Sequence, residues 1–190
     1  MSGMFIQAIG FAGVLLFLIS YQIKSNKVLY FTQGIGCAMF CAQFFLLGAY
    51  SGCLSLVVII LRNTMLMKYD EWKIIRSRIW VPVFIAVSIV IMIYTWNGWI
   101  SILPLLAMAS GTIGYWTNNA KYIRLSCVVC CSPSWILYDI LIGSWGGVLN
   151  ESITILSILI SIYRFGWKNL GEADFGASQK TAELEVERVR

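Results

Sequence analysis

Histidine is missing altogether from these 190 residues, only three prolines occur, and charged residues make up 12% of the chain. The first absence removes Ser-His and Cys-His nucleophilic chemistry, which needs an imidazole base. It also removes the mixed Cys/His ligand sets of most structural zinc sites. Phosphate-cradling glycine motifs are missing as well, so no catalytic constellation stands out and the chain is not expected to be an enzyme. The scarcity of charge excludes an ordinary soluble domain, whose charged fraction is about twice as high. In its place stands 59% hydrophobic sequence, with mean hydropathy +0.78. A soluble fold of this length would be forced to expose large apolar patches, whereas a lipid bilayer accepts them. The net charge of +5 does not suggest nucleic acid, because the basic residues sit in short stretches between apolar runs. The expected partner is the bilayer.

Apolar runs near the length needed to cross ~30 Å of hydrocarbon lie at roughly 4–22, 29–48, 52–67, 79–96, 99–116, 122–142 and 146–165. Several are joined by very short links: Tyr50-Ser51-Gly52, Asn97-Gly98 and Ser144-Trp145-Gly146. Helical hairpins fit these links, since unpaired backbone is not tolerated in lipid. No Lys or Arg precedes the first run, so the positive region of a secretory signal is missing and a retained first helix is expected. Lys24 and Lys27 follow the first run, and Lys68, Lys73, Arg76 and Arg78 follow the third. Lys121 and Arg124 follow the fifth, and Arg164 and Lys168 close the seventh. Positive charge gathers on the cytoplasmic side, which predicts seven spans with the N-terminus outside and the C-terminus inside. Trp72, Trp80, Trp96, Trp99, Trp116, Trp145 and Trp167 fall near predicted span ends, where such rings anchor helices at the headgroups.

The chain also echoes itself. ISYQIKSNKVL, residues 19–29, returns as IGYWTNNAKYI, residues 113–123, with Ile, Tyr and the second Lys in register at an offset of 94. LLGAYSG, residues 46–52, returns as LIGSWGG, residues 141–147, at an offset of 95. The one-residue slip falls within the second helix of each unit, where only the later copy carries a proline, Pro133, and a kink there would absorb it. The predicted architecture is all-α: a first three-helix repeat at 1–68, a cytoplasmic loop plus linker helix at 69–98, a second three-helix repeat at 99–168, and a polar cytoplasmic tail at 169–190. A unit of three helices reverses direction, so the linker brings the two units parallel about an axis along the membrane normal.

Charges within spans are costly and mark a cavity or a pair. Three lie well inside: Arg62, near the middle of the third span, and Asp139 and Glu151, at comparable depth in the sixth and seventh. Two readings stand side by side. Arg62 and a carboxylate form an internal pair that fixes the packing, or the carboxylates line a central cavity and bind a solute or a proton. Gln33 and Gln43 add polar capacity to the second span, Gln43 as a link between helices. Cys127, Cys130 and Cys131, with Cys37 and Cys41, are read as small packing groups rather than metal ligands or disulfides. No metal or cofactor is expected.

GFAGVLLFLISYQIKS near the start, FLLGAYSG, Leu61-Arg62-Asn63, ASGTIGYW and SPSWILYD together resemble the YgjV-type bacterial inner-membrane family over about residues 4–165. The three-plus-one-plus-three order resembles the wider SWEET and PQ-loop transporter superfamily. That resemblance implies alternating-access movement of a small polar solute and a substrate-contacting Asn in the third span, the place of Asn63. It puts a cytoplasmic gate at Tyr21-Gln22 and Tyr115-Trp116, where the PQ-loop pattern would read Pro-Gln. In place of the core prolines expected for hinging, Gly34, Gly36, Gly111 and Gly114 would supply close helix contacts or bending. The leading expectation is a small-solute permease using Arg62, Asn63, Asp139 and Glu151. The alternative is a non-transporting scaffold or accessory subunit that keeps the fold, and the sequence leaves a homo-oligomer open.

Overall fold

A computed structural model describes residues 3–20, 26–68, 72–117 and 119–169. Helices α1 (Gly3–Ser20), α2 (Asn26–Leu46), α3 (Tyr50–Leu66), α4 (Trp80–Tyr94) and α5 (Ile102–Trp116) are followed by a long sixth rod and a last helix. The sixth rod runs without a break through α6 (Ala120–Ser126), a π-helical turn (Cys127–Cys131) and α7 (Ser132–Ile142). The last helix, α8, is Trp145–Asn169. Among the described residues there are thus seven rods and no strand, and each rod matches one predicted apolar run to within a few residues. The segments 98–116 and 121–142 are long and apolar enough to cross a bilayer, and the other rods carry shorter apolar stretches.

The rod ends follow from local chemistry. Gly48 and Gly143 stand in the left-handed region, at φ 73° and 75°, which costs little only for a residue without Cβ. Ala49 N–H donates to Phe44 O at 2.8 Å and Gly48 N–H to Phe45 O at 3.1 Å. Ser144 N–H donates to Asp139 O at 2.8 Å and Gly143 N–H to Ile140 O at 3.3 Å. Both are Schellman closures, which satisfy the last carbonyls and reverse the chain. At the start of α6, Asn119 Oδ1 accepts from Lys121 N–H at 3.0 Å, the usual N-cap bond.

The expected kink at Pro133 takes the form of the π turn. Pro133 has no N–H to offer the Val129 carbonyl in α register, and Ser132 N–H instead reaches back five residues to Cys127 O. A π turn inserts one residue into a helix. α2 contains no such turn, so the insertion accounts for the step from an offset of 94 before the rod to 95 after it.

The rods pack as a ring. α1 lies on α2, α2 on α3, α3 on α5, α5 on the sixth rod, α7 on α8, and α8 returns to α1. α4 packs on α3 and α5. Polarity runs inside out. Gln43, Arg62, Thr112, Ser132, Asp139 and Ser144 are buried, while Leu15, Phe31, Phe45, Leu61, Ile93, Val129, Leu156 and many other large apolar side chains face outward. Trp96, Trp99 and Trp145 are exposed near rod ends, and Trp72 is exposed in the link between α3 and α4. Trp116 departs from that expectation: it is buried, its ring lies 5.5 Å from Phe84, and its indole N–H donates to Ile75 O at 3.1 Å. Position near a span end does not say whether a neighbouring loop folds over the ring.

Candidate functional site

The ring encloses a cavity of about 140 Å³. Arg62 and Asn63 reach it from α3, Asp139 from α7 and Glu151 from α8. The four residues singled out for their chemistry therefore share one space, although 89 positions separate the first from the last. Tyr115 also lines it, whereas Trp116 is held in the second core cluster with Phe84, Met108 and Leu66. Tyr21 and Gln22 lie outside the described residues.

Among the described residues, Arg62 is not paired with a carboxylate. Its Nε and Nη2 donate to Asn63 Oδ1 at 3.3 and 3.2 Å, and Nη1 donates to Thr112 Oγ1 at 3.4 Å. The guanidinium carbon sits 4.6 Å from the Tyr115 ring centroid, a cation–π distance. Asn63 thus holds Arg62 from within the same helix, and Thr112 ties α3 to α5. Thr112 carried no sequence signal, since a lone Thr in an apolar run is ordinary.

The carboxylates sit elsewhere on the wall. Glu151 Oε1 accepts from Asn150 Nδ2 at 3.2 Å, and Ser132 faces the same carboxylate. Asp139 is 2% exposed and its Oδ1 has no hydrogen-bond partner. A side chain at Gly147 would overlap the Asp139 carboxylate, so that glycine is what lets the acid lie against α8. Much of the remaining wall is aromatic: Phe17, Phe40, Phe44 and Trp135 line the cavity, with successive ring centroids 6.0, 6.5 and 6.1 Å apart. These rings were not foreseen as cavity residues, because an aromatic in an apolar helix reads as lipid contact or core. Cys37, Cys127 and Cys131 line it as well, while Cys130 points to Leu106 O. The π turn is what separates the thiols of the CxxCC run.

The wall residues come in pairs. Cys37 and Ser132, Phe40 and Trp135, Phe44 and Asp139, Leu56 and Glu151, and Ile59 and Thr154 are each 95 residues apart, and all line the cavity. The same offset relates two side chains that close its Gly48/Gly143 end. Gln43 Oε1 accepts from Ser144 Oγ at 3.1 Å, and Gln43 Nε2 donates to Gln7 Oε1 at 3.3 Å. Tyr138 Oη accepts from Gly52 N–H at 2.9 Å, contacts Ser51 Oγ at 3.0 Å and donates to Ala49 O at 3.4 Å. The end of α2 therefore reaches the turn after α7, and α7 reaches the turn after α2. Gln43 acts as the interhelical link expected of it. Among the four glycines proposed for close contact, Gly36 meets Phe17, Gly111 meets Arg62 and Cys131, and Gly114 meets Ser126. Gly34 has open space around its Cβ position, and does not serve that purpose here.

An all-helical chain with an apolar exterior and polar groups gathered around an internal cavity has the character of a membrane protein. The sequence matches the YgjV family of bacterial inner membrane proteins over residues 4–169, and the chain belongs to that family. No curated protein and no solved structure gave a match.

Proposed function

We propose that this protein is a small-solute permease of the bacterial inner membrane, working by alternating access through seven spans with the N-terminus outside and the C-terminus inside. The observation that carries the reading is the cavity wall, built from residues 95 apart contributed by both halves. Such placement is what two parallel three-helix units produce when they enclose a site on their common axis, and rocking one unit against the other would expose that site to each side in turn. The ring of rods supports it too, since exchanging the halves turns the α8–α1 contact into the α3–α5 contact. The six-fold ring leaves α4 as the linker between units. In the proposed orientation the Gln43 and Tyr138 bonds close the outer end, and Tyr115, stacked on Arg62, belongs to the inner gate with Tyr21, Gln22 and Trp116.

A scaffold that merely keeps the fold would be expected to neutralise Arg62 with Asp139 or Glu151 and to fill the space between. Arg62 instead bonds Asn63 and Thr112, and the space is open. The test is counterflow in proteoliposomes of the purified full chain, using a panel of small polar metabolites with and without a pH gradient. Saturable uptake that Asp139→Asn abolishes is the expected result. A complete absence of movement across the panel would sink the permease reading.

A further inference from the structure

Resting on the reading of the cavity as a solute site, we infer that it binds the head of a primary alkylammonium between Asp139 and Glu151, with the alkyl part against the aromatic wall. Two carboxylates on one wall are not by themselves a site. Here a second observation points to a ligand: Asp139 is 2% exposed and lines the cavity, and its buried Oδ1 has no hydrogen-bond donor among the described residues. A buried acceptor left unsatisfied costs stability, and a donor arriving with the ligand recovers it. The nearest protein cation in the cavity, Arg62, is committed to Asn63, Thr112 and the Tyr115 ring. Among the described residues that line the cavity, none is therefore left to supply the positive charge that Asp139 and Glu151, near enough to feel one another, would share.

The class of cation follows from the rest of the wall. An ammonium with N–H groups gives donors to both carboxylates and makes charge-assisted bonds. Phe40, Phe44 and Trp135 offer ring faces and apolar surface rather than the oxygen shell that a bare metal ion takes. Size bounds the ligand. A cavity of about 150 Å³ holds benzene, so this one takes about six non-hydrogen atoms, the scale of propyl- to pentylammonium. The acids belong to the second half only. At the matching positions 95 residues earlier the first half carries Phe44 and Leu56, so the ligand head sits off the axis, on the α7–α8 side.

The experiment is calorimetric titration of the detergent-purified full chain with propylammonium, and with three comparison solutes. These are 1-propanol (same size, no charge), tetramethylammonium (charge without N–H) and sodium or potassium chloride. Propylammonium should bind, tetramethylammonium more weakly, and 1-propanol and the alkali ions not measurably. Asp139→Asn and Glu151→Gln should each weaken propylammonium by roughly tenfold or more, as loss of a charged hydrogen bond does. The comparison of propylammonium with 1-propanol on the unaltered chain decides the matter even if both variants misfold. Binding of alkali ions alone, equal binding of 1-propanol, or binding indifferent to both substitutions would overturn the inference. A neutral or anionic solute carried in proteoliposomes without any ammonium bound would overturn it while leaving the permease standing. Propylammonium bound but never moved would uphold the site and sink the permease.

Discussion

The turns at Gly48 and Gly143 have nearly the same backbone and carry opposite chemistry inward. Each closes its helix with the same pair of hydrogen bonds and the same left-handed glycine. Each is followed by a glycine against which a residue of the last helical turn packs, Gly52 against Phe44 and Gly147 against Asp139. One turn thus carries an aromatic ring inward and the other an acid, each five residues before the residue that closes its helix. The second pair, Leu56 and Glu151, repeats the contrast one helix further on. The lesson is that the scaffold of the cavity is shared while its chemistry is not. Closure of the helix ends constrains Gly48 and Gly143, and close packing constrains Gly52 and Gly147, but nothing in the backbone constrains what faces the cavity.

That contrast can be broken most forcefully at its paired wall positions. Phe44 is buried among Phe40, Trp135 and Tyr138, so Phe44→Ala should lower stability by about 3 kcal/mol through lost packing. Asp139→Leu, which makes the second half resemble the first, should cost nothing or stabilise, because removing an unpaired buried acid is often favourable. Chemical unfolding of both variants in one detergent checks this; equal losses would show that Asp139 is structurally required and not held for a ligand.

A smaller effect is expected at the crossing of α1 and α8. A Cβ at Gly146 would lie 2.7 Å from the Gly10 carbonyl carbon and 3.0 Å from its Cα, and backbone cannot swing aside as a side chain can. Gly146→Ala should therefore cost about 2 kcal/mol by overpacking. Its counterpart Ser51 already carries a side chain that bonds Tyr138, and Ser51→Gly should lose only that bond, about 1 kcal/mol. Thermal unfolding that ranks the two the other way would contradict the close α1–α8 approach.

The smallest effect concerns the reciprocal bonds at the turns. Tyr138→Phe leaves Gly52 N–H without its acceptor, at about 1 kcal/mol. Gln43→Leu removes the matching bond to Ser144. Either change should speed alkylation of the cavity thiols Cys37, Cys127 and Cys131 by a membrane-impermeant maleimide applied from the side of the Gly48 and Gly143 turns. Unchanged rates in both variants would show that these bonds do not close the cavity.

Much of the fold was legible in the residues. Rod number and bounds followed from apolar runs and from the short links, because a helix satisfies its own backbone without help from neighbours. The slip from 94 to 95 announced an irregularity in the sixth rod, but a proline signals only that the α ladder fails locally, and a π turn is one of several ways to accommodate that. The candidate site was legible through rarity: Arg62, Asp139 and Glu151 stand out against an apolar background, and the cost of a charge there requires an interior place. Phe40, Phe44, Trp135 and Thr112 did not stand out for the same reason.

Composition, order of rods, glycine turns and the placing of three costly charges were determined by the sequence itself, since each is a local consequence of backbone and solvation. Which side of each rod faces the cavity was decided only by the tertiary structure. When apolar residues cover the outside of a bundle as fully as its inside, the hydrophobic pattern no longer marks the buried face, and packing between small residues and a few polar contacts sets the rotation of each helix. That rotation brought Asn63 and Thr112 to Arg62 and left Asp139 Oδ1, beside Gly147, without a donor among the described residues.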